Sequence, residues 1–117
     1  MQVLLLMYHD EKAMQKLPRE EFGRLHGAFM AYVDALKKAG VLIGHNGLRP
    51  TGEAKTVRKD TVLDGPFAET KEQLAGYYIL DCANLDQAIS WAAKIPTACR
   101  GGEGCIEIRP MADIPPR

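Results

Sequence analysis

The chain has no surplus of either charge: fifteen Lys and Arg residues stand against fifteen Asp and Glu residues in 117 positions. A nucleic-acid binder neutralises phosphates with excess cations, so direct nucleic-acid binding is not expected. No apolar run approaches the roughly 20 residues that span a bilayer, and no membrane association is expected. Met1 to Met7 is apolar apart from Gln2, but no basic residues precede it and His9-Asp10-Glu11-Lys12 follows after Tyr8. A strand is expected there rather than an export signal. Cysteine is scarce: Cys82, Cys99 and Cys105 are an odd number without CxxC spacing. Structural zinc needs paired ligands, and the histidines (His9, His26 and His45) show no HxH or HxxxH spacing that would supply them. No metal and no cofactor is expected, and reduced thiols in a cytoplasmic protein are the reading. No glycine-rich phosphate loop leads from a strand into a helix, and no Ser or Cys stands in a nucleophile motif, which weighs against nucleotide hydrolysis and acyl-enzyme chemistry.

What is present is an ordinary globular balance, 46% hydrophobic and 26% charged, fit for a single domain over residues 1–110 with a C-terminal tail over 111–117. Residues 2–8 form an apolar run too short for a helix and bounded by charge, hence strand one. Phe22, Leu25, Phe29, Tyr32, Val33 and Leu36 repeat at helical spacing. Pro18, Glu20 and Glu21 suit the start of that helix, and Lys37, Lys38 and Gly40 suit its end. Val41 to Arg49 reads as strand two, with Gly44 and Gly47 pointing to a bulge or a close backbone approach. Pro50-Thr51-Gly52 is a turn. Thr56-Val57-Arg58 and Thr61-Val62-Leu63 make a hairpin around Lys59-Asp60, and Glu69 to Leu74 is at most a helical turn. Gly76 to Cys82 is a strand. Asn84-Leu85-Asp86-Gln87 resembles a capping box, and Leu85, Ala88, Ile89 and Ala92 share one face of a helix that Pro96 ends. A loop at Gly101, Gly102 and Gly104 leads to a last strand, Cys105 to Arg109, and a loose tail ending in Pro115-Pro116.

Two helices flanking antiparallel strands give an α+β sandwich of the ferredoxin-like kind. Two helices cover one face of such a sheet. Yet strand one is apolar on both parities, Val3, Leu5 and Met7 against Leu4, Leu6 and Tyr8, where a sheet with one wet face would alternate. A second copy packed sheet to sheet is the economical cover, making a homodimer.

The run Asp64-Gly65-Pro66-Phe67-Ala68-Glu69-Thr70-Lys71-Glu72-Gln73-Leu74, followed by Gly76-Tyr77-Tyr78, is similar to the YCII-related family, and more narrowly to its branch named for a DGPF motif. Tyr8-x-Asp10, Ala39-Gly40-Val41-Leu42 and Glu107-Ile108-Arg109-Pro110 extend the resemblance over nearly the whole chain. The resemblance implies a ferredoxin-like fold paired as a dimeric α/β barrel. It also implies a link to extracytoplasmic-function sigma factors, whose genes often adjoin or fuse with those of the branch. Some wider relatives are enzymes using a histidine on the first helix and an aspartate near strand two. Those positions fall here nearest Phe29 and near Ile43 or Gly44, and His26 lies about one turn earlier on the same helix.

The catalytic candidates are His26 and Asp64; the ligand-binding candidates are Tyr8, Asp10, His45, Glu69, Lys71 and Arg109. Asp64-Gly65-Pro66 has the composition of a turn, while the polar residues beyond it, following a strand end, suit the lining of a cleft. His26 borders the stripe of Phe22, Met30 and Val33, as a packed histidine would. His45 suits either a ligand contact or an exposed edge. Gly23 and Gly27 each cost about 1 kcal/mol relative to alanine in a helix, so close packing of a backbone, loop or ligand is expected there. Glu107 and Arg109 share one face of the last strand, pointing to a dimer cavity or to solvent. Two functions follow: a dimer that binds a small polar organic molecule in an interface cleft, with or without acid–base turnover, or a non-enzymatic partner of a sigma factor.

Alkylation of unfolded protein without reductant should modify all three cysteines, read by mass spectrometry. A Cys99–Cys105 crosslink would overturn the reduced state.

Overall fold

The computed structural model describes residues 1–96 and 104–112. Cys99, the loop at Gly101 and Gly102, and the Pro115-Pro116 tail lie outside the described residues. Apolar side chains on both parities of the first strand make it a central one. β1 (Gln2–His9) pairs antiparallel with β5 (Gln73–Asp81) on one side and with β6 (Cys105–Pro110) on the other. β2 (Leu42–Gly47) pairs antiparallel with the outer side of β5, giving the order β2-β5-β1-β6. β1 and β2 therefore run in one direction, and β5 and β6 in the other. α2 (Arg19–Lys38) connects the first pair and α3 (Leu85–Ala93) the second. This α+β arrangement is compatible with a ferredoxin-like fold. The described helices number three rather than two, because a five-residue helix, α1 (Glu11–Gln15), follows β1.

Val3 and Leu5 of β1, Leu36 of α2 and Leu80 of β5 are fully buried, with Ala88 of α3 against them. Both long helices thus lie on the face carrying Val3, Leu5, Tyr78 and Leu80. Tyr32 packs edge-on to Tyr78, with ring centroids 5.3 Å apart, and its hydroxyl donates to the Trp91 carbonyl at 2.8 Å. The buried phenol is therefore satisfied.

The end of α2 follows the glycine signal. Gly40 takes a φ of 72°, its N–H donates to the Lys37 carbonyl, and the Val41 N–H donates to that of Leu36. These are the two bonds of a Schellman motif. Asn84 caps α3 by accepting the Gln87 N–H at 2.9 Å, and the Gln87 carboxamide accepts the Ala83 N–H, one residue before the cap. The face that α3 buries differs from the expected one. Ala88, Trp91, Ala92 and, just beyond the helix, Ile95 meet the core, while Leu85 and Ile89 are 42% and 49% exposed. The small Ala88 lets the helix approach the sheet, with Trp91 and Ile95 packed on the same side and Leu85 and Ile89 turned outward.

Two bulges bend the sheet. Ile43 is extra between the Leu42–Leu80 and Gly44–Ile79 pairs, and Ala75 between Leu74 and Gly76. A Cβ on Gly76 would sit 3.0 Å from the Asn46 carbonyl oxygen, so this glycine permits the close approach of β2 and β5. Gly23 and Gly27 are different: a Cβ at either meets nothing within 4 Å, so the expected close packing does not occur among the described residues. The helical turn expected over Glu69 to Leu74 is also absent. Residues 66–72 are irregular, and Gln73 and Leu74 already belong to β5.

β3 (Lys55–Arg58) and β4 (Thr61–Asp64) form a separate two-stranded ladder with Val57 opposite Val62. Lys59 turns it with a φ of 49°. Val57, Val62 and Leu63 are all exposed.

Leu36→Ala is expected to cost about 3 kcal/mol, as for other fully buried leucines. Ile89→Ala is expected to cost under about 1 kcal/mol, because half of that side chain is already in water. Urea unfolding of both variants checks the assignment; equal losses would restore the expected face of α3.

Candidate functional site

Asp10 and Glu11 follow the last residue of β1 and do different work. The Asp10 carboxylate accepts the N–H groups of Lys12 and Ala13 at 2.9 and 3.3 Å, capping α1. The Glu11 carboxylate accepts the Thr51 N–H at 2.9 Å and the Thr51 hydroxyl at 2.8 Å. This ties α1 to the short turn at Thr51–Glu53 that precedes the hairpin. The Gln73 carboxamide donates to the carbonyls of Ala68 and Thr70, both at 3.1 Å, and folds the loop before β5. Between these parts lies a cleft of about 560 Å³. Asp10, Glu11, Lys12 and Thr51 line one side; Pro66, Glu69, Thr70, Lys71 and Gln73 line the other. Glu69 and Lys71 are exposed in it. The cleft offers ammonium donors and carboxylate acceptors together, suiting a ligand that carries both kinds of hydrogen-bonding group. Three of the residues singled out in the sequence, Asp10, Glu69 and Lys71, meet here.

Tyr8 and Arg109 meet elsewhere, on the sheet face opposite the helices. The register places Tyr8 beside Cys105, Leu6 beside Glu107 and Leu4 beside Arg109. The Tyr8 hydroxyl donates to Glu107 at 3.3 Å, and the Arg109 guanidinium lies 3.7 Å from the same carboxylate. Burial, then the charge of Glu107, raises the Tyr8 pKa and keeps the phenol a donor. On the other flank Asn46 donates to the Tyr77 hydroxyl at 3.4 Å. Leu4, Leu6 and Ile79 lie between these polar groups, beneath none of the described helices.

The remaining candidates stand apart. His45 is exposed and stacks on Tyr78 at 5.8 Å, on the helix-bearing face at the β2 edge. His26 is exposed on α2 between Phe22 and Met30, themselves 55% and 59% exposed, so the packed-histidine alternative does not hold. Asp64 pairs with Lys55 across the hairpin, its side chain 88% exposed. Gly65 beside it has a φ of 96°; its N–H donates to the Ala54 carbonyl, and its own carbonyl accepts the Thr56 hydroxyl. Among the described residues no hydrogen bond joins His26, Asp64 and Lys71. Also among the described residues, no three His, Cys, Asp or Glu side chains are grouped to hold a metal ion. No helix among them is long and apolar enough to cross a membrane.

Sequence patterning missed Glu11, Lys12 and Thr51. Asp10 three residues before Ala13 is a helix-cap signal, but five residues are too few to show a period. Glu107 was legible as the charged partner of Arg109 in an alternating strand.

An uncharacterised protein of Rhizobium meliloti is 39% identical over 112 residues, which cover 92% of this chain and 90% of the relative. The family model of the YCII-related domain matches residues 1–114, a span containing both polar groups described above, and the chain belongs to the YCII-related family.

Proposed function

We propose that the chain works as a homodimer, joined through the open sheet face as a dimeric α/β barrel, and binds a small polar organic molecule in the cleft at the edge of that face. The observation that carries this reading is the meeting of Asp10, Glu69 and Lys71 around one cleft. These residues come from two segments some sixty positions apart. The cleft adjoins the open face because Gln73, which lines it, pairs with His9, and the next pair is Leu74 with Tyr8. Leu4, Leu6, Tyr77 and Ile79 supply the apolar centre of an interface, and Glu107, Arg109 and Asn46 its polar rim. Lys71 and Lys12 suit the anionic part of a ligand, and Glu69 its hydroxyl or amino groups.

Sedimentation equilibrium at micromolar concentration should return about twice the 12.9 kDa chain mass. Leu6→Lys, placing a charge at the centre of the face, should give a folded monomer. A wild-type monomer that unfolds cooperatively would sink the dimer.

For the cleft, the assay is a thermal-shift screen with hydroxy acids and sugar acids, since a ligand bound only by the native state raises the melting temperature. Lys71→Ala and Glu69→Ala should abolish the shift of any hit while leaving the unliganded melting temperature in place. A shift unchanged in both variants would put the hit elsewhere. Asp64→Asn and Asp64→Ala are expected to retain binding, the latter losing less than about 1 kcal/mol, since an exposed ion pair contributes little. Loss of binding in Asp64→Asn at an unchanged melting temperature would instead give its carboxylate a ligand contact.

A further inference from the structure

A second and larger cleft, about 650 Å³, lies on the other flank of α1, between that helix and the first turns of α2. Its size falls within the roughly 300–1,000 Å³ range of small-molecule sites. It carries more apolar side chains than the polar cleft. Ala13, Met14, Leu17, Leu25 and Ala28 give it an apolar wall, and Met14, Leu17 and Leu25 are half-buried rather than exposed. Its charged groups are few. The Asp10 carboxylate is already engaged by the N–H groups that it caps. His9 is half-buried, and burial lowers its pKa despite the neighbouring carboxylates of Glu11 and Asp10, so the imidazole is neutral at pH 7. That leaves Glu21 and Arg24, one carboxylate and one guanidinium three residues apart on α2, both lining the cleft and both exposed at its mouth. Among the described residues neither makes an ion pair within 4 Å or a side-chain hydrogen bond.

Residues three apart on a helix carry their Cβ atoms about 5–6 Å apart. Two opposite charges so placed above an apolar wall complement a molecule with an adjacent carboxylate and ammonium and a hydrocarbon side chain. A simple carboxylate would pair with Arg24 but face Glu21; a simple amine would pair with Glu21 but face Arg24. Only a zwitterion satisfies both. We propose that this cleft is a binding site for apolar α-amino acids, with Arg24 taking the carboxylate, Glu21 the ammonium and the Met14–Leu17–Leu25 wall the side chain. The site is separate from the polar cleft, and neither Glu69 nor Lys71 contributes to it.

The test is isothermal titration of the full chain with L-leucine, against glycine, L-leucinamide and N-acetyl-L-leucine. Glycine lacks the side chain, the amide lacks the carboxylate and the acetylated form lacks the ammonium. Each control should bind at least about tenfold more weakly than L-leucine, the amide and the acetylated form for want of one hydrogen bond to a charged group and glycine for want of the buried side chain. Arg24→Gln and Glu21→Gln should each weaken L-leucine binding by a similar factor with little change in the unliganded melting temperature, as both side chains are exposed. Lys71→Ala should leave it unchanged, which separates this site from the polar cleft. No heat of binding up to tens of millimolar L-leucine would overturn the site. N-acetyl-L-leucine binding as tightly as L-leucine would overturn recognition of a zwitterion. Full affinity in both glutamine variants would overturn the assignment to Glu21 and Arg24.

Discussion

Apolar residues on both parities of β1 impose the constraint from which the architecture follows. Val3 and Leu5 on one parity lie fully buried beneath α2 and α3. Leu4 and Leu6 on the other share their face with Tyr77 and Ile79 of β5, beneath none of the described helices. Leu4, Leu6, Tyr77 and Ile79 are half-buried in the single chain, so only part of the roughly 1.5–3 kcal/mol that burying one large aliphatic side chain contributes remains to be gained on this face. Zero formal net charge leaves little long-range repulsion between copies to oppose that burial. The charged residues sit where this burial allows them. Glu107 and Arg109 lie on β6 at one side of the apolar row, and Asn46 on β2 at the other, so the row can be buried while its rim keeps contact with water.

The second determinant is the pair of carboxylates after β1. Asp10 ends the strand and starts α1, and Glu11 reaches forty positions along the chain to Thr51. Hydrogen bonds to a charged acceptor contribute about 1.5–3 kcal/mol each, enough to fix a loop that has little packing of its own. Without Glu11 the segment from Leu48 to Glu72 would attach to the sheet chiefly through its two ends. With it, α1 becomes a partition between the two clefts, and Asp10 touches both.

Much of this was legible in the residues, and what was not has physical causes. α2 has twenty residues of clear period and a glycine where the left-handed conformation is needed, so its limits follow from its sequence. The hairpin follows from Thr and Val alternating around Lys59-Asp60. α1 left no periodic trace because it is barely more than one turn, held by a cap and a side-chain clamp rather than by an apolar face. The buried face of α3 was misread because apolar residues occupy more than half of its circumference. The face actually buried centres on Ala88, with Trp91, Ala92 and Ile95 beside it, and leaves Leu85 and Ile89 outside. Asp10, Glu69 and Lys71 were legible as polar residues beside strand ends. Their convergence was not, because it depends on the pairing of His9 with Gln73 between β1 and β5, which no local pattern announces.

The segment from Asp64 to Gln73 divides at Pro66 into parts with different physics. Asp64 and Gly65 close the hairpin: the carboxylate pairs with Lys55 opposite it, and Gly65 takes a conformation that side chains resist while exchanging bonds with Ala54 and Thr56. Those two residues have a sufficient reason in the turn itself. From Pro66 onward no such reason exists. Phe67 is 79% exposed, with the Arg58 guanidinium 5.5 Å from its ring centroid, and Glu69, Thr70 and Lys71 are exposed, the Thr70 hydroxyl donating to the Glu72 carbonyl. The loop is shaped by the Gln73 carboxamide bonding to two of its carbonyls, and side-chain-to-backbone bonds of this kind fix a path without requiring burial. A loop ordered by its own polar bonds keeps its remaining side chains solvated and available, which is the condition a ligand-binding wall has to meet.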